Sequence, residues 1–248
     1  MENAGKSRPG KHTFDKGYWE RHWQERAGAA RETNSAPETK PAPEQSPEPA
    51  PNPHVVRETA ELVPGTALDA GCGTGAEALW LAARGWQVVG ADISAAALAE
   101  ASAQTASQAE DRPAAGSVTW VEADLVSWDP KQQFDLVVTS YAHPAIPQLA
   151  FYRRLTEWVA PGGTLLIVGH LHSHSPAGPH ETRAGQHGDA GHHPPVEATA
   201  DPAGVTAQLD PAVWKILTAE ERSSTPPGYR GGPAPVLNDV VVKAVRRS

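Results

Sequence analysis

The sequence has one cysteine in 248 residues. That excludes an internal disulfide and a cysteine-rich zinc site. No apolar run approaches the ~18 residues of a membrane span, and the opening MENAGKSRPGKHTF lacks the apolar core of a signal peptide. A cytoplasmic protein with no membrane partner is the expectation. Positive charge is in deficit, with 21 Lys and Arg against 29 Asp and Glu and a formal net charge of −8. Binding nucleic acid by neutralising phosphates is therefore disfavoured. Apolar residues make up 39% of the chain, below the globular norm, so part of it stands outside any core.

What is present falls into three parts. Residues 1–32 contain an aromatic helix over 13–28, with Tyr18 or Trp19, His22, Trp23 and Arg26 at three- and four-residue spacing. Residues 33–53 are rich in Pro, Ala and Glu without a large apolar residue, the composition of a disordered linker. Residues 54–248 alternate strand and helix. A helix over 54–62 precedes strands TALDAG, QVVGAD, VTWVEADL, FDLVVTSY and TLLIVGHLH, with helices expected over 75–84, 94–109 and 147–159. Such alternation means a doubly wound, mostly parallel α/β sheet. WKILTAEER and DVVVKAVRR, joined by a Pro/Gly-rich turn, are expected to pair antiparallel. Residues 172–204, rich in His, Gly and Pro, form an insertion too long for an ordinary connection.

The chemistry concentrates in ALDAGCGTGAEALWLAARGWQVVGADIS, residues 67–94. Gly71-x-Gly73-x-x-Ala76 fits the loose dinucleotide fingerprint, a weak signal by itself. Asp69 discriminates. It is placed where the strand delivers its last side chain to the crevice of an open α/β sheet. A carboxylate there repels a pyrophosphate by roughly 1–4 kcal/mol, whereas a cationic ligand turns the contact into attraction. Cys72 reads as a small buried filler.

LDAGCGTG resembles motif I of the class I S-adenosylmethionine-dependent methyltransferases, whose cofactor carries an ammonium and a sulfonium and no phosphate. VVGADIS, VEADL, FDLVVTSYAH and APGGTLLIVG resemble the family's later motifs in order, and FDKGYWERHW resembles the N-terminal segment of its thiopurine- and tellurite-resistance-type branch. The resemblance implies a Rossmann-like, seven-stranded sheet with an antiparallel last strand. It implies that Asp69, Gly71 and Gly73 hold the methionine moiety of S-adenosyl-L-methionine, and that Asp92 takes the ribose hydroxyls. It places Ile93, Ala123 and Asp124 around the adenine and Thr139, with Ser140 and Tyr141, by the transferring methyl. Trp19 and Trp23 would lie over the cofactor as a lid.

Methyl transfer is an in-line displacement, so the protein mainly supplies orientation. A base is needed only where the acceptor must lose a proton; Tyr141 and His143, just after the fourth strand, are the expected candidates. SYAHP departs from the acidic-or-amide, proline, proline, aromatic pattern of amino-directed relatives, which favours a small-molecule acceptor. Two alternatives remain open at this point: a silent S-adenosylmethionine-binding accessory protein, and metal binding through the histidine-rich loop. Seven of the eleven histidines lie between His170 and His193, with His170, His172 and His174 alternating and Glu181 and Asp189 nearby.

Overall fold

The computed structural model describes residues 14–33, 50–111, 115–171, 198–224 and 236–248. Most of the expected linker, and the expected insertion up to residue 197, lie outside the described residues. Helix α1 (Lys16–Thr33) stands apart from the rest in sequence. Then follow α2 (Pro53–Thr59), β1 (Thr66–Ala70), α3 (Ala76–Ala82), β2 (Gln87–Asp92), α4 (Ala95–Asp111) and β3 (Ser117–Glu122). The second half has β4 (Phe134–Ser140), α5 (Gln148–Leu155), β5 (Val159–His170), α6 (Pro202–Thr206), β6 (Trp214–Ser224) and β7 (Leu237–Arg246).

The seven strands lie in the order β3-β2-β1-β4-β5-β7-β6. β1 to β5 pair in parallel, and β7 runs against both β5 and β6. The central strands are buried on both faces, which is why they read as unbroken apolar runs rather than alternating ones. Leu136, Val138, Leu166 and Val168 join Val55 and Leu81 under α2 and α3. Val137, Leu165 and Ile167 join Phe151, Tyr152 and Leu155 of α5 on the other face. Burying each such side chain contributes about 1.5–3 kcal/mol.

Local chemistry sets the element ends. Asn52 accepts the N–H of His54 at 2.8 Å and Pro53 occupies the first helical position, so α2 starts there. Several boundaries differ from expectation, α1 running to Thr33 rather than 28 and α2 stopping at Thr59 rather than 62, and two of them have a local cause. The helix expected over 147–159 stops at Leu155 and finishes as a single tight turn over Thr156–Trp158. β5 starts at Val159 rather than 164, because Phe134 pairs with Val159 while Leu136 pairs with Thr164. The Pro-Gly-Gly sequence therefore loops out as a bulge inside the strand, with Gly162 at φ +81°, rather than ending it. Among the described residues no helix is long and apolar enough to cross a membrane.

Candidate active site

β1, β2, β3 and β4 all end on the same edge of the sheet, and the turns that follow them enclose a cavity of about 1070 Å³. The turn after β1 is pinned to β2, with the N–H groups of Gly71 and Cys72 both donating to the Ala91 carbonyl, at 2.8 and 3.1 Å. Gly71 has φ +79°, and a Cβ on it would lie 2.3 Å from that of Ala142; only glycine lets the loop after β4 pass so close. Cys72 is buried, and that burial pushes its thiol well above the ordinary range, in keeping with a filler.

Asp92, the last residue of β2, ties two turns together. Its Oδ2 accepts the N–H of Gly73 at 2.9 Å and its Oδ1 accepts that of Ser94 at 2.9 Å. Burial raises its pKa, and these bonds hold part of that rise back. The Ile93 backbone also bonds the carboxylate, which can accept about four bonds in all, and the residue lines the cavity with Ile93, Ala123 and Asp124. Asp124 lies just past β3 and accepts the N–H of Val126.

Asp69 lies beneath the glycine turn rather than on the cavity wall. It is 1% exposed, and its Oδ2 has no hydrogen-bond partner. Burial raises its pKa well above the carboxylate range, with further upward pushes from Glu77 and Asp92. An unpaired carboxylate oxygen in a dry place is expensive. Thr139 departs from expectation. It is fully buried and donates its hydroxyl to the Ala70 carbonyl at 2.8 Å, so it joins β4 to β1 and does not line the cavity.

Helix α1 lies across the mouth. Asp15 caps it by accepting the N–H of Tyr18 at 2.9 Å. One stripe at three- and four-residue spacing then meets the domain. Lys16 pairs with Glu122 at the end of β3. Glu20 accepts the Ser94 hydroxyl at 2.8 Å, at the start of α4. The indole N–H of Trp19 donates to the His143 carbonyl at 3.0 Å. Trp23 lies over Gly73, whose added Cβ would be 2.9 Å from its ring. Trp19 and Trp23 line the cavity; Tyr18 is not among its lining residues.

The far end of the cavity is aromatic. Tyr141 has φ +54°, a left-handed conformation worth about 1–3 kcal/mol of strain in a non-glycine residue. Its N–H donates to the Val168 carbonyl and its hydroxyl to Oδ1 of Asp239 at 2.7 Å, which hold it there. Burial and the Asp239 charge push its pKa up. His170, at the end of β5, stacks on Tyr141 at 4.6 Å and on His143 at 5.3 Å. Burial, then His143, lower its pKa to about 4. Gln148 donates its amide N–H to the Ala142 carbonyl, so its oxygen faces Nδ1 of His143 at 3.2 Å. That nitrogen therefore carries the proton and Nε2 keeps its lone pair. Burial lowers the His143 pKa as well. Among the described residues no three His, Cys, Asp or Glu side chains are placed to hold a metal ion. His172, His174, Glu181 and Asp189 lie outside them.

Residues 67–163 match a family model described as a methyltransferase domain. A probable thiol methyltransferase 2 of Arabidopsis thaliana is 28% identical over 182 residues, 68% of this chain and 72% of that one. A thiocyanate methyltransferase 1 of the same plant is 29% identical over 159 residues, 63% of this chain and 62% of that one. Among solved structures, TehB from Haemophilus influenzae superposes with a TM-score of 0.59 at 16% identity, over 80% of this chain and 63% of that one, a likeness of fold. The chain is a class I S-adenosylmethionine-dependent methyltransferase.

The residues of this methyltransferase fit that cofactor. Asp69 Oδ2 is a buried acceptor lacking a donor, the partner that an ammonium or sulfonium suits, and the carboxylates of Glu77 and Asp92 add to the same field. At Gly71 and Gly73 the turn presents bare backbone to the cavity. Gly73→Ala tests the lid contact: the new methyl meets the Trp23 ring and φ is +51° there. Cofactor affinity is expected to fall by about fivefold, as one lost aromatic packing contact of roughly 1 kcal/mol implies, read by calorimetry. Less protection of residues 16–26 from protease should accompany it.

Proposed function

We propose that the enzyme transfers the methyl group of S-adenosylmethionine to the sulfur of a small thiol. Bound, the cofactor supplies an electrophilic methyl on a sulfonium; the chain's residues bind, orient and exclude water. In this reading Asp69, Gly71 and Gly73 hold the methionine moiety and Asp92 the ribose. Ile93, Ala123 and Asp124 enclose the adenine, and Trp19 and Trp23 close over it. Residues 1–32 then act as a lid tethered by the linker 33–53 to the catalytic domain of residues 54–248, a cytosolic enzyme without nucleic-acid or membrane partners.

The observation that carries the acceptor class is the make-up of the far end of the cavity. Phe14, Trp19, Tyr141 and His143 line it. The described cations of the lining are engaged elsewhere, Lys16 on Glu122 and Arg26 over the Trp23 ring at 5.2 Å. A carboxylate- or phosphate-bearing acceptor would lack a counter-charge there, whereas polarisable sulfur suits aromatic rings. The names of the two plant relatives, for a thiol and for thiocyanate, point the same way.

Incubation with methyl-labelled S-adenosylmethionine and a series of alkyl and aryl thiols is expected to give methyl thioethers, detected by mass spectrometry. Labelled amine or hydroxyl products with no thioether would overturn the acceptor class. His143 is proposed to orient the thiol through its unprotonated Nε2. His143→Ala is expected to lower kcat by about fivefold, the scale of one hydrogen bond of ~1 kcal/mol. Because its pKa is already lowered, His143 stays neutral well below its ordinary value of about 6.5. Any loss of rate caused by its protonation should therefore appear only at more acid pH.

A further inference from the structure

We propose that Asp239 is the terminal proton acceptor of the thiol site, reached through the hydroxyl of Tyr141; this inference rests on the thiol reading above. Asp239 is the third residue of β7 and is wholly buried. Its Oδ1 accepts the Tyr141 hydroxyl at 2.7 Å. Its Oδ2 accepts the Ser224 hydroxyl at 2.6 Å and lies 3.2 Å from Nε2 of His54. α2, β6 and the end of β4 thus converge on one carboxylate.

A carboxylate only accepts, so the Tyr141 proton lies toward Asp239 and the phenol oxygen turns its lone pairs elsewhere. Tyr141 lines the cavity together with Asn52 and Ser224. A thiol at that end meets an oxygen able to take its proton. The step balances: the S–H proton passes to Oη as the Oη proton passes to Oδ1 of Asp239. The electron pair left on sulfur becomes the nucleophile, and the tyrosine never carries a full negative charge. After product leaves, the proton returns by the same two oxygens to water.

Two comparisons favour this route. His143 faces the same space but is backed by the neutral amide of Gln148, with no carboxylate to receive a proton. And both oxygens of Asp239 are engaged as acceptors, with the His54 ring held 3.2 Å from Oδ2. An asparagine would keep the acceptor for the Tyr141 hydroxyl and turn an amide N–H, not an acceptor, toward Ser224 and His54, so only an acid both accepts on the two sides and can take up a proton. The groups facing Asp239 are Tyr141 beyond β4, His170 from the end of β5, His54 from α2 and Ser224 from β6. Arg222, its neighbour in register on β6, is engaged with Glu58 and Glu220.

The test compares two acceptors in one protein: an alkyl thiol, which must lose a proton, and thiocyanate, which has none. In Asp239→Asn and in Tyr141→Phe, the thiol-to-thiocyanate rate ratio at neutral pH is expected to fall by about 10²-fold, the scale of general-base help. The deficit should shrink as pH approaches the thiol's own pKa. A ratio does not depend on how much of a variant folds, and Tyr141→Phe keeps the ring against His170. A ratio that changes less than about threefold in both variants overturns the relay. A wild-type enzyme inactive on both acceptors overturns the thiol reading itself, and the relay with it.

Discussion

Asp69→Asn is expected to raise the stability of the cofactor-free enzyme and to weaken cofactor binding, two effects of opposite sign from one atom. In the free protein the buried Oδ2 lacks a partner and the carboxylate is crowded by Glu77 and Asp92. Removing the charge relieves about 1–3 kcal/mol of that cost, visible as a higher Tm. The sign with pH follows from the raised pKa. The group's stabilising contribution is fully present below its ordinary carboxylate value and is lost as pH rises through the raised one. The Tm gap between variant and wild type should thus open as pH rises and close in acid. With S-adenosylmethionine the order reverses. A cation beside Asp69 favours the carboxylate, so affinity for the wild type should exceed that for the variant by about 10- to 10²-fold, the range of one charge-assisted hydrogen bond. Binding near the raised pKa should also release a proton, seen as a calorimetric enthalpy that depends on the buffer. A variant neither more stable nor weaker in binding would show that Asp69 is stably accommodated without a cation.

The larger loss of affinity is expected at Asp92. Asp92→Ala removes the proposed ribose fork and also frees the N–H groups of Gly73 and Ser94, which hold the first two turns in register. Two charge-assisted bonds together come to about 3–4 kcal/mol, or 10²- to 10³-fold in Kd. Asp92→Asn keeps one acceptor oxygen and should lose far less. If the two variants bind alike, the carboxylate serves the turns and not the cofactor.

The acids of the proposed cofactor site stand out in the sequence because they sit at or beside the ends of apolar runs. Asp69 is the penultimate residue of β1, Asp92 closes β2 and Asp124 follows β3, where sequence and sheet edge coincide. The structure brings Asp92, Ile93, Ala123, Asp124, Trp19, Trp23, Tyr141 and His143 to one cavity. The family resemblance places Thr139 by the transferring methyl, and the structure does not. Alternation along β4 turns it the same way as Val137, into the sheet's packed face, and that could have been read. Glu20 was passed over because a charge on an isolated helix reads as solvated; only its position at the start of α4 gives it a partner. Asp239 and His54 are 185 residues apart, and no local pattern links them. The available signal was an acid entering DVVVKAV, a strand whose apolar run required burial on both faces.

The strand order imposes a schedule on synthesis. Among the described residues β6 pairs only with β7, and β7, which follows β6 in the chain, inserts between β5 and β6. Until residues 237–246 emerge, the side of β5 remains an open edge of the kind that recruits stray strands, and β6 has nothing to zip against. The residues of the proposed nucleoside pocket, Asp92, Ile93, Ala123 and Asp124, are made well before Asp239, the acid behind Tyr141. Nascent chains should therefore gain the ability to capture the nucleoside-bearing cofactor well before they can turn over, and the interval between is when aggregation threatens most.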